Sequence, residues 1–384
     1  MEVIYQICSF VKKDLTWETA IQATNYLKKE NVLKKLISLD IFYGLKSKDS
    51  YNSQDKNLNV ISPLKSIYKN KLVNNILLPI IFDKLSSIFF VEKCDIFHGW
   101  ANHSLLSIKK AKKLGSKCVL EVESAHILEE TKILIREARR WGLSYSYSMF
   151  NIRRLMNEYF TTDYILVPSE YVKQSFLSQG FFDEKIKKIN FGIEPDELFP
   201  NNYEQEKFRI IYTGAVTLRK GIQYLLLALQ NLRLKNSELV VIGGIEERMR
   251  DLIVNLLKKV EIPVKFLGRL PRKRLLNELS ASSLYVFPSL SDGWAMTVTE
   301  AMARGLPIVT TKNVGSSELI ENGKEGFVIP IRDVKSLREC ILYFYDNPSE
   351  IKRMGKNSFE KISKYTWTEY GKNLISFYNE ILHK

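Results

Sequence analysis

The sequence is poor in the residues that announce common site types. Only four cysteines occur in 384 residues, Cys8, Cys94, Cys118 and Cys340. They lie far apart with no Cys-x-x-Cys pair, which argues against a zinc site or a disulfide framework and fits a reducing cytoplasm. Histidine is equally sparse, at His98, His103, His126 and His383. No apolar run reaches the roughly 18 residues of a membrane span. The nearest, Leu72–Phe90, is broken by Pro79, Asp83 and Lys84, and its recurring polar residues fit core packing with one wet face, an interfacial patch being the alternative. The start, "MEVIYQICSFVKKD", carries an acid at position 2 and too short an apolar run for a secretion signal; it reads as a first buried strand. Repeats of about 20 to 50 residues and low-complexity tracts are missing too.

What is present is ordinary for a soluble globular protein, with 45% hydrophobic and 26% charged residues. The length exceeds what one core usually serves, so two domains are expected. A formal charge of +14 points to an anionic partner: nucleic acid, a phosphorylated small molecule or an anionic lipid surface.

Short β-branched runs alternate with helical stretches, the pattern of parallel sheets built from βα units. In the first half the strands are "VIYQICS", "DIFHGW", "KCVLEVES" and "YILVPS", with helices in "SLLSIKKAKKLG" and "SEYVKQSFLSQG". The last of these opens on Ser169 as N-cap and stops at Gly180. Residues 44–62 are polar and read as a loop. From Phe208 the strands are "FRIIYTG", "ELVVIGG", "VKFLG", "LYVFPS", "PIVTT" and "GFVIP", and "TWTEYGKNLISFYNEILHK" has the spacing of an amphipathic helix. The linker is "GIEPDELFPNNYEQEK". The expected fold is α/β, with two facing Rossmann-like domains over 1–200 and 201–365 and a C-terminal helix over 366–384 that crosses back to the first domain.

Three constellations carry chemistry. In "YTGAVTLRKGIQYLLLAL" a strand ends at Gly214, and Arg219 and Lys220 precede Gly221 and a helix. Glycine admits close approach of a ligand, and two cations beside a helix N-terminus suit a diphosphate; the same residues also read as a solvated basic turn. In "PSLSDGWAMTVTEAMARGLPIV", Asp292 precedes Glu300 by eight positions. A carboxylate inside such a helix can accept from a ribose diol, the amides around Gly293, Trp294 and Ala295 can face a phosphate, and Asp292 can meet a sugar hydroxyl. The competing reading is a helix cap and a surface acid. In "VLEVESAHIL", His126 follows a strand and so lies at the carboxyl edge of a sheet, where open α/β domains bind ligands; a lone histidine is more often structural.

Taken in order, "TTDYILVPSEYVKQSF", "KIKKINFGIEPDELFP", "YTGAVTLRKGIQYLL", the run from "VKFLGRLPRKRLLNELSASS" through "AMARGLPIVTT", and "GSSELIENGKEGFVIP" resemble the family-4 glycosyltransferases, retaining enzymes of the GT-B fold. The resemblance covers residues 94–346, tightly from 160 onward. It implies 1–200 as the acceptor-side domain and 201–365 as the donor-binding domain, a nucleotide-diphosphate sugar as donor, Glu300 on the ribose, Asp292 on the transferred sugar and Arg219 with Lys220 on the diphosphate. Gly268 and Arg269 fall where the family contacts the nucleobase, and His126 where it places a histidine beside the donor sugar. The chain departs from the family at three places: Asp292 replaces the first Glu of Glu-x7-Glu, Ala215 stands where many members have an arginine, and "VKKDLTWETA" lacks the usual glycines.

Many nucleotide-sugar enzymes hold a metal with Asp-x-Asp, and none occurs here; no metal or other cofactor is expected, and protein cations take its place. The expected acceptor is a glycan, a lipid-linked molecule or a small-molecule hydroxyl, and the setting is cytoplasmic. Lys109, Lys110, Lys112 and Lys113 on one helix suit either a solvated face or peripheral contact with an anionic membrane. No nucleic-acid partner is expected, because basic residues are spread along the chain without stacking or groove-reading motifs. A non-catalytic nucleic-acid binder, an epimerase and a pseudoenzyme of the same fold are the competing functions.

Overall fold

The computed structural model describes residues 1–8, 15–38, 58–59, 77–194 and 207–383. The first half runs β1 (Val3–Ile7), α1 (Leu15–Lys29), β2 (Leu33–Ser38), β3 (Leu58–Asn59), α2 (Leu78–Phe89), β4 (Ile96–Trp100), α3 (Leu105–Lys113), β5 (Lys117–Glu121), α4 (Ile127–Arg140), α5 (Met149–Thr161), β6 (Tyr164–Val167), α6 (Glu170–Leu177) and β7 (Ile186–Lys188). The second runs β8 (Phe208–Thr213), α7 (Ile222–Leu229), β9 (Ser237–Ile242), α8 (Arg250–Leu257), β10 (Val264–Gly268), α9 (Arg272–Ser280), β11 (Leu284–Phe287), α10 (Met296–Ala303), β12 (Ile308–Thr311), β13 (Gly326–Ile329), α11 (Val334–Asp346), α12 (Pro348–Ile362) and α13 (Trp367–Leu382).

The strands form two parallel sheets, ordered β3-β2-β1-β4-β5-β6-β7 and β10-β9-β8-β11-β12-β13. Helices cover both faces, which is why β1, β4 and β11 are buried at every position. Each sheet reverses its order beside its own first strand, between β1 and β4 and between β8 and β11. In such sheets the crevice beyond the carboxyl ends of those two strands is the natural ligand site.

The caps follow the sequence. Ser169 accepts from the Val172 amide, and Thr366 accepts from that of Glu369 to open α13. That last helix packs against α1, where a Cβ at Gly371 would meet the Tyr26 ring at 2.2 Å, so the close approach requires glycine. It is also tied to the first sheet by a buried polar cluster. Glu121 accepts from Tyr5 at 3.0 Å, His98 at 2.9 Å and Tyr370 at 2.9 Å, and His98 Nδ1 lies 2.6 Å from the Tyr378 hydroxyl.

Several sequence expectations are revised. Leu58 and Asn59, read as loop, pair with β2 as an edge strand; the rest of 44–62 lies outside the described residues, as does 195–206 of the linker. Of "VKKDLTWETA", residues 11–14 lie outside the described residues, and the chain is helical from Leu15. Within Leu72–Phe90, residues 72–76 lie outside the described residues. In α2, Leu78 and Phe82 are buried while Ile88 and Phe89 are exposed. Among the described residues, no helix is long and apolar enough to cross a membrane.

Candidate functional site

The second sheet's crevice is built by its glycines. Gly221 has φ +73°, and a Cβ there would stand 1.9 Å from the Pro288 carbonyl, so only glycine lets the Arg219–Lys220 turn sit against the loop after β11. Leu290 N then donates to the Arg219 carbonyl at 2.8 Å. This docking brings Lys220 Nζ onto Asp292 Oδ2 and over the Phe287 ring, 5.3 Å from its centroid.

Arg219 completes the cluster. Its Nη1 donates to the Ser291 carbonyl at 2.7 Å and lies 3.7 Å from Asp292 Oδ2, while its Nε is 3.7 Å from Glu130 of α4. Burial would raise the Asp292 carboxyl, but Lys220 and Arg219 outweigh it and hold it below the ordinary carboxylate range. Glu130 goes the other way: burial pushes it up against the pull of Arg219.

Glu300 is buried on α10, and its carboxylate pairs with Arg272 at the start of α9. Gly268 ends β10 at φ +64°, and its carbonyl accepts from Gly243 N at 2.8 Å. A Cβ at Gly243 would meet the Gly214 carbonyl at 1.9 Å, so the ends of β8, β9 and β10 form one low shelf. Arg269 beside it is exposed. Ala295 opens α10 with φ +57°, a left-handed conformation unusual for a residue with a Cβ and typical of site loops.

The two domains meet at this loop. A Cβ at Gly293 would lie 1.5 Å from the Glu123 carbonyl after β5, and Ser169 Oγ donates to the Gly293 carbonyl at 2.7 Å. Tyr171 OH bonds Ser291 Oγ at 2.9 Å. Glu137 of α4 is a second fastening, pairing with Arg332 at 2.6 Å and accepting from Gln223 and Tyr224 of α7.

The structure thus gathers Gly214, Arg219, Lys220, Asp292, Gly293 and Ala295 at one crevice, with Glu300, Gly268 and Arg269 on flanking elements. Two residues fall elsewhere. The Trp294 ring is buried against Phe191, 6.3 Å between centroids, so at the crevice only its backbone is available. His126 is fully buried and caps α4, its Nδ1 accepting from Leu128 N at 3.3 Å. Its ring packs among Tyr159, Phe176 and Phe181, and burial pushes its pKa down to about 4. Its place beside the donor sugar stays what the resemblance implies, while in this structure the ring packs against aromatic residues on and after α5 and α6. Glu130, Arg272 and the Gly243–Gly244 turn were missed; only the paired glycines after "LVVI" left a sequence signal. Among the described residues, no three His, Cys, Asp or Glu side chains converge on a metal position.

Comparison with known proteins agrees with this geometry. Residues 194–361 match the glycosyl transferases group 1 family. An uncharacterised glycosyltransferase of Methanocaldococcus jannaschii is 26% identical over 59% of this chain and 63% of that protein. The amylovoran biosynthesis glycosyltransferase AmsK of Erwinia amylovora is 26% identical over 50% of each. The capsular polysaccharide biosynthesis glycosyltransferase CapM of Staphylococcus aureus is 24% identical over 62% of this chain and 67% of that protein. The match thus spans less than two-thirds of the first two relatives. In fold, the whole chain superposes on sucrose-phosphate synthase from Thermosynechococcus elongatus, with a TM-score of 0.73, 16% identity and both chains fully covered. HepE of Anabaena in complex with UDP gives 0.67 at 13% identity, over 99% of this chain and 100% of that one. The Arg219–Lys220 turn, Asp292 and Glu300 all lie inside the segment that matches the glycosyl transferases group 1 family, and the chain has the two-sheet architecture of the GT-B fold.

Proposed function

We propose that this protein transfers a sugar from a nucleoside diphosphate sugar to a hydroxyl acceptor, with retention of anomeric configuration and without a metal. The observation that carries the reading is the convergence of Lys220 and Arg219 on Asp292 at the switch point of the second sheet. Breaking the anomeric bond builds negative charge on the leaving diphosphate, and preorganised cations aimed at it lower the barrier by about 3 kcal/mol for one good donor. A lysine ammonium has three donors, so Lys220 can hold Asp292 and a phosphate oxygen together. Asp292 in turn meets a hydroxyl of the transferred sugar, and Glu300 the ribose. HepE, whose structures contain UDP and glucose, supports this donor class; CapM and AmsK, named for polysaccharide synthesis, support a glycan acceptor.

Nucleotide chromatography tests the reaction: free nucleoside diphosphate should accumulate only when an acceptor sugar is present. Accumulation of an isomerised nucleotide sugar without acceptor would replace transfer with epimerisation.

Peripheral contact with an anionic membrane is part of the proposal. Phe89, Phe160 and Phe182 are exposed at 67%, 65% and 78% around Lys110, Lys112 and Lys185, which reach the carbonyls of Ile88, Thr161 and Phe160. Aromatic rings ringed by lysine suit an interface. Co-sedimentation with phosphatidylglycerol vesicles but not phosphatidylcholine vesicles is expected; equal recovery with both would end this part.

A further inference from the structure

Helix α4 carries two carboxylates, Glu130 and Glu137, seven positions apart in the sequence. That spacing is about two helical turns, so both lie on one face, and the face is turned to the second domain. Their situations differ. Glu137 is fully buried and accepts from Trp141 Nε1 at 2.7 Å, Gln223 Nε2 at 3.2 Å and Arg332 Nε at 2.6 Å. It fastens the two domains together. Glu130 is answered by Arg219 Nε at 3.7 Å, beyond hydrogen-bond range.

Arg219 has other commitments. Its Nη1 donates to the Ser291 carbonyl at 2.7 Å and lies 3.7 Å from Asp292 Oδ2, while Lys220 Nζ sits on the same Asp292 oxygen. The cluster thus balances two cations against two carboxylates, and the first domain supplies one of them. Asp292 is the better held of the two. Burial, with Asp292 nearby, pushes the Glu130 carboxyl up against the pull of Arg219 and Lys220, the sign of a charge that its neighbours do not fully offset.

An anion arriving at this turn must find its counter-charge among these groups. Lys220 can keep Asp292 and still offer a donor. Arg219 turns to a phosphate by giving up its long pair with Glu130, the weakest link of the four. A phosphate oxygen on that guanidinium also comes close to the Glu130 carboxylate, where like charges in a partly buried site repel.

We propose that Glu130 is a built-in competitor of the donor's diphosphate: the first domain sets its carboxylate on Arg219, a nucleoside diphosphate displaces it, and its return to the guanidinium loosens the product nucleotide for release. This rests on the transfer reaction above and adds to it the residue that limits how tightly the product is held. Glu130 acts through Arg219 and takes no part in the bond changes.

Calorimetric titration of UDP, GDP and ADP into the full chain tests it. Glu130→Gln keeps the size of the side chain and removes its charge. It should bind whichever nucleotide the parent binds about three- to tenfold more tightly, the scale of one partly exposed ion pair, and product inhibition of transfer should strengthen by the same factor. Glu129→Gln controls for net charge, because that carboxylate accepts from Gln179 Nε2 at 2.7 Å; it should leave nucleotide affinity unchanged. Equal or weaker nucleotide binding by Glu130→Gln, or an equal gain in Glu129→Gln, overturns the competition and leaves the transfer reaction standing. Should Glu130→Gln not fold, Glu130→Ala takes its place, with the same expected gain and the same contrary result. Binding of no nucleotide to parent or variant overturns the transfer reaction and the competition with it.

Discussion

The two walls of the cleft solve opposite problems. The wall from the second sheet is charged and already neutralised within itself: Lys220 and Arg219 on Asp292, Arg272 on Glu300. The wall from the first sheet has its backbone pinned from three sides and leaves two neutral buried atoms, Asn102 Oδ1 and His103 Nδ1, with no hydrogen-bond partner among the described residues. A charge cannot wait in a partly buried crevice without a counter-charge, whereas a neutral amide or imidazole waits at lower cost. The contrast teaches how each wall is held: the charged one by ion pairs within itself, the other by the hydrogen bonds of Gln6, Arg154 and Glu158 to its backbone.

The largest expected effect breaks the charged wall. Lys220→Ala should lower turnover by roughly 100- to 1,000-fold, the scale of losing one donor to the developing charge. It should also cost about 3 kcal/mol of stability by leaving Asp292 without its closest cation. Adding Asp292→Asn should restore urea stability and leave turnover low; recovery of both would mean that the pair serves the fold alone.

The neutral wall should respond to pH in the opposite sense. Burial raises Glu158, which clamps the Asn102–Leu105 amides, to about 7. A carboxyl raised in the folded state stabilises fully below its unfolded value and loses that contribution as pH rises through about 7. Asp292, held low by Lys220, contributes above its unfolded value and loses its contribution as pH falls. Relative to Glu158→Gln, the parent should therefore lose on the order of 3 kcal/mol between pH 5 and 8 in urea titrations, and a flat difference would refute the clamp. Smallest is Glu300→Gln, which keeps the side chain's shape while weakening its pair with Arg272. Donor affinity should drop by roughly ten- to a hundredfold, as for a hydrogen bond to a charged group, and unchanged donor affinity would remove Glu300 from the ribose.

The second sheet was legible strand by strand because its six strands are apolar runs closed by glycine or proline, such as "ELVVIGG" and "LYVFPS". In the first sheet β2, "LKKLIS", and β7, "IKK", escaped notice because lysines interrupt the apolar run at positions the sheet leaves partly exposed. The Arg219–Lys220 turn and Asp292 could be read from their strand-loop-helix context. Glu130, Arg272 and Asn102 could not, since α4, α9 and the β4–α3 loop reach the cleft only through tertiary packing. The capping role of His126 was not legible either: a histidine directly after a strand can cap the helix that follows, and its bond to Leu128 N does that.

The most direct measurement is calorimetric titration of UDP, GDP and ADP into the parent protein and into Lys220→Met. The account expects at least one of the three to bind the parent and to bind Lys220→Met at least about tenfold more weakly. Equal affinity for both proteins, or no binding of any of the three to a folded parent, would contradict it.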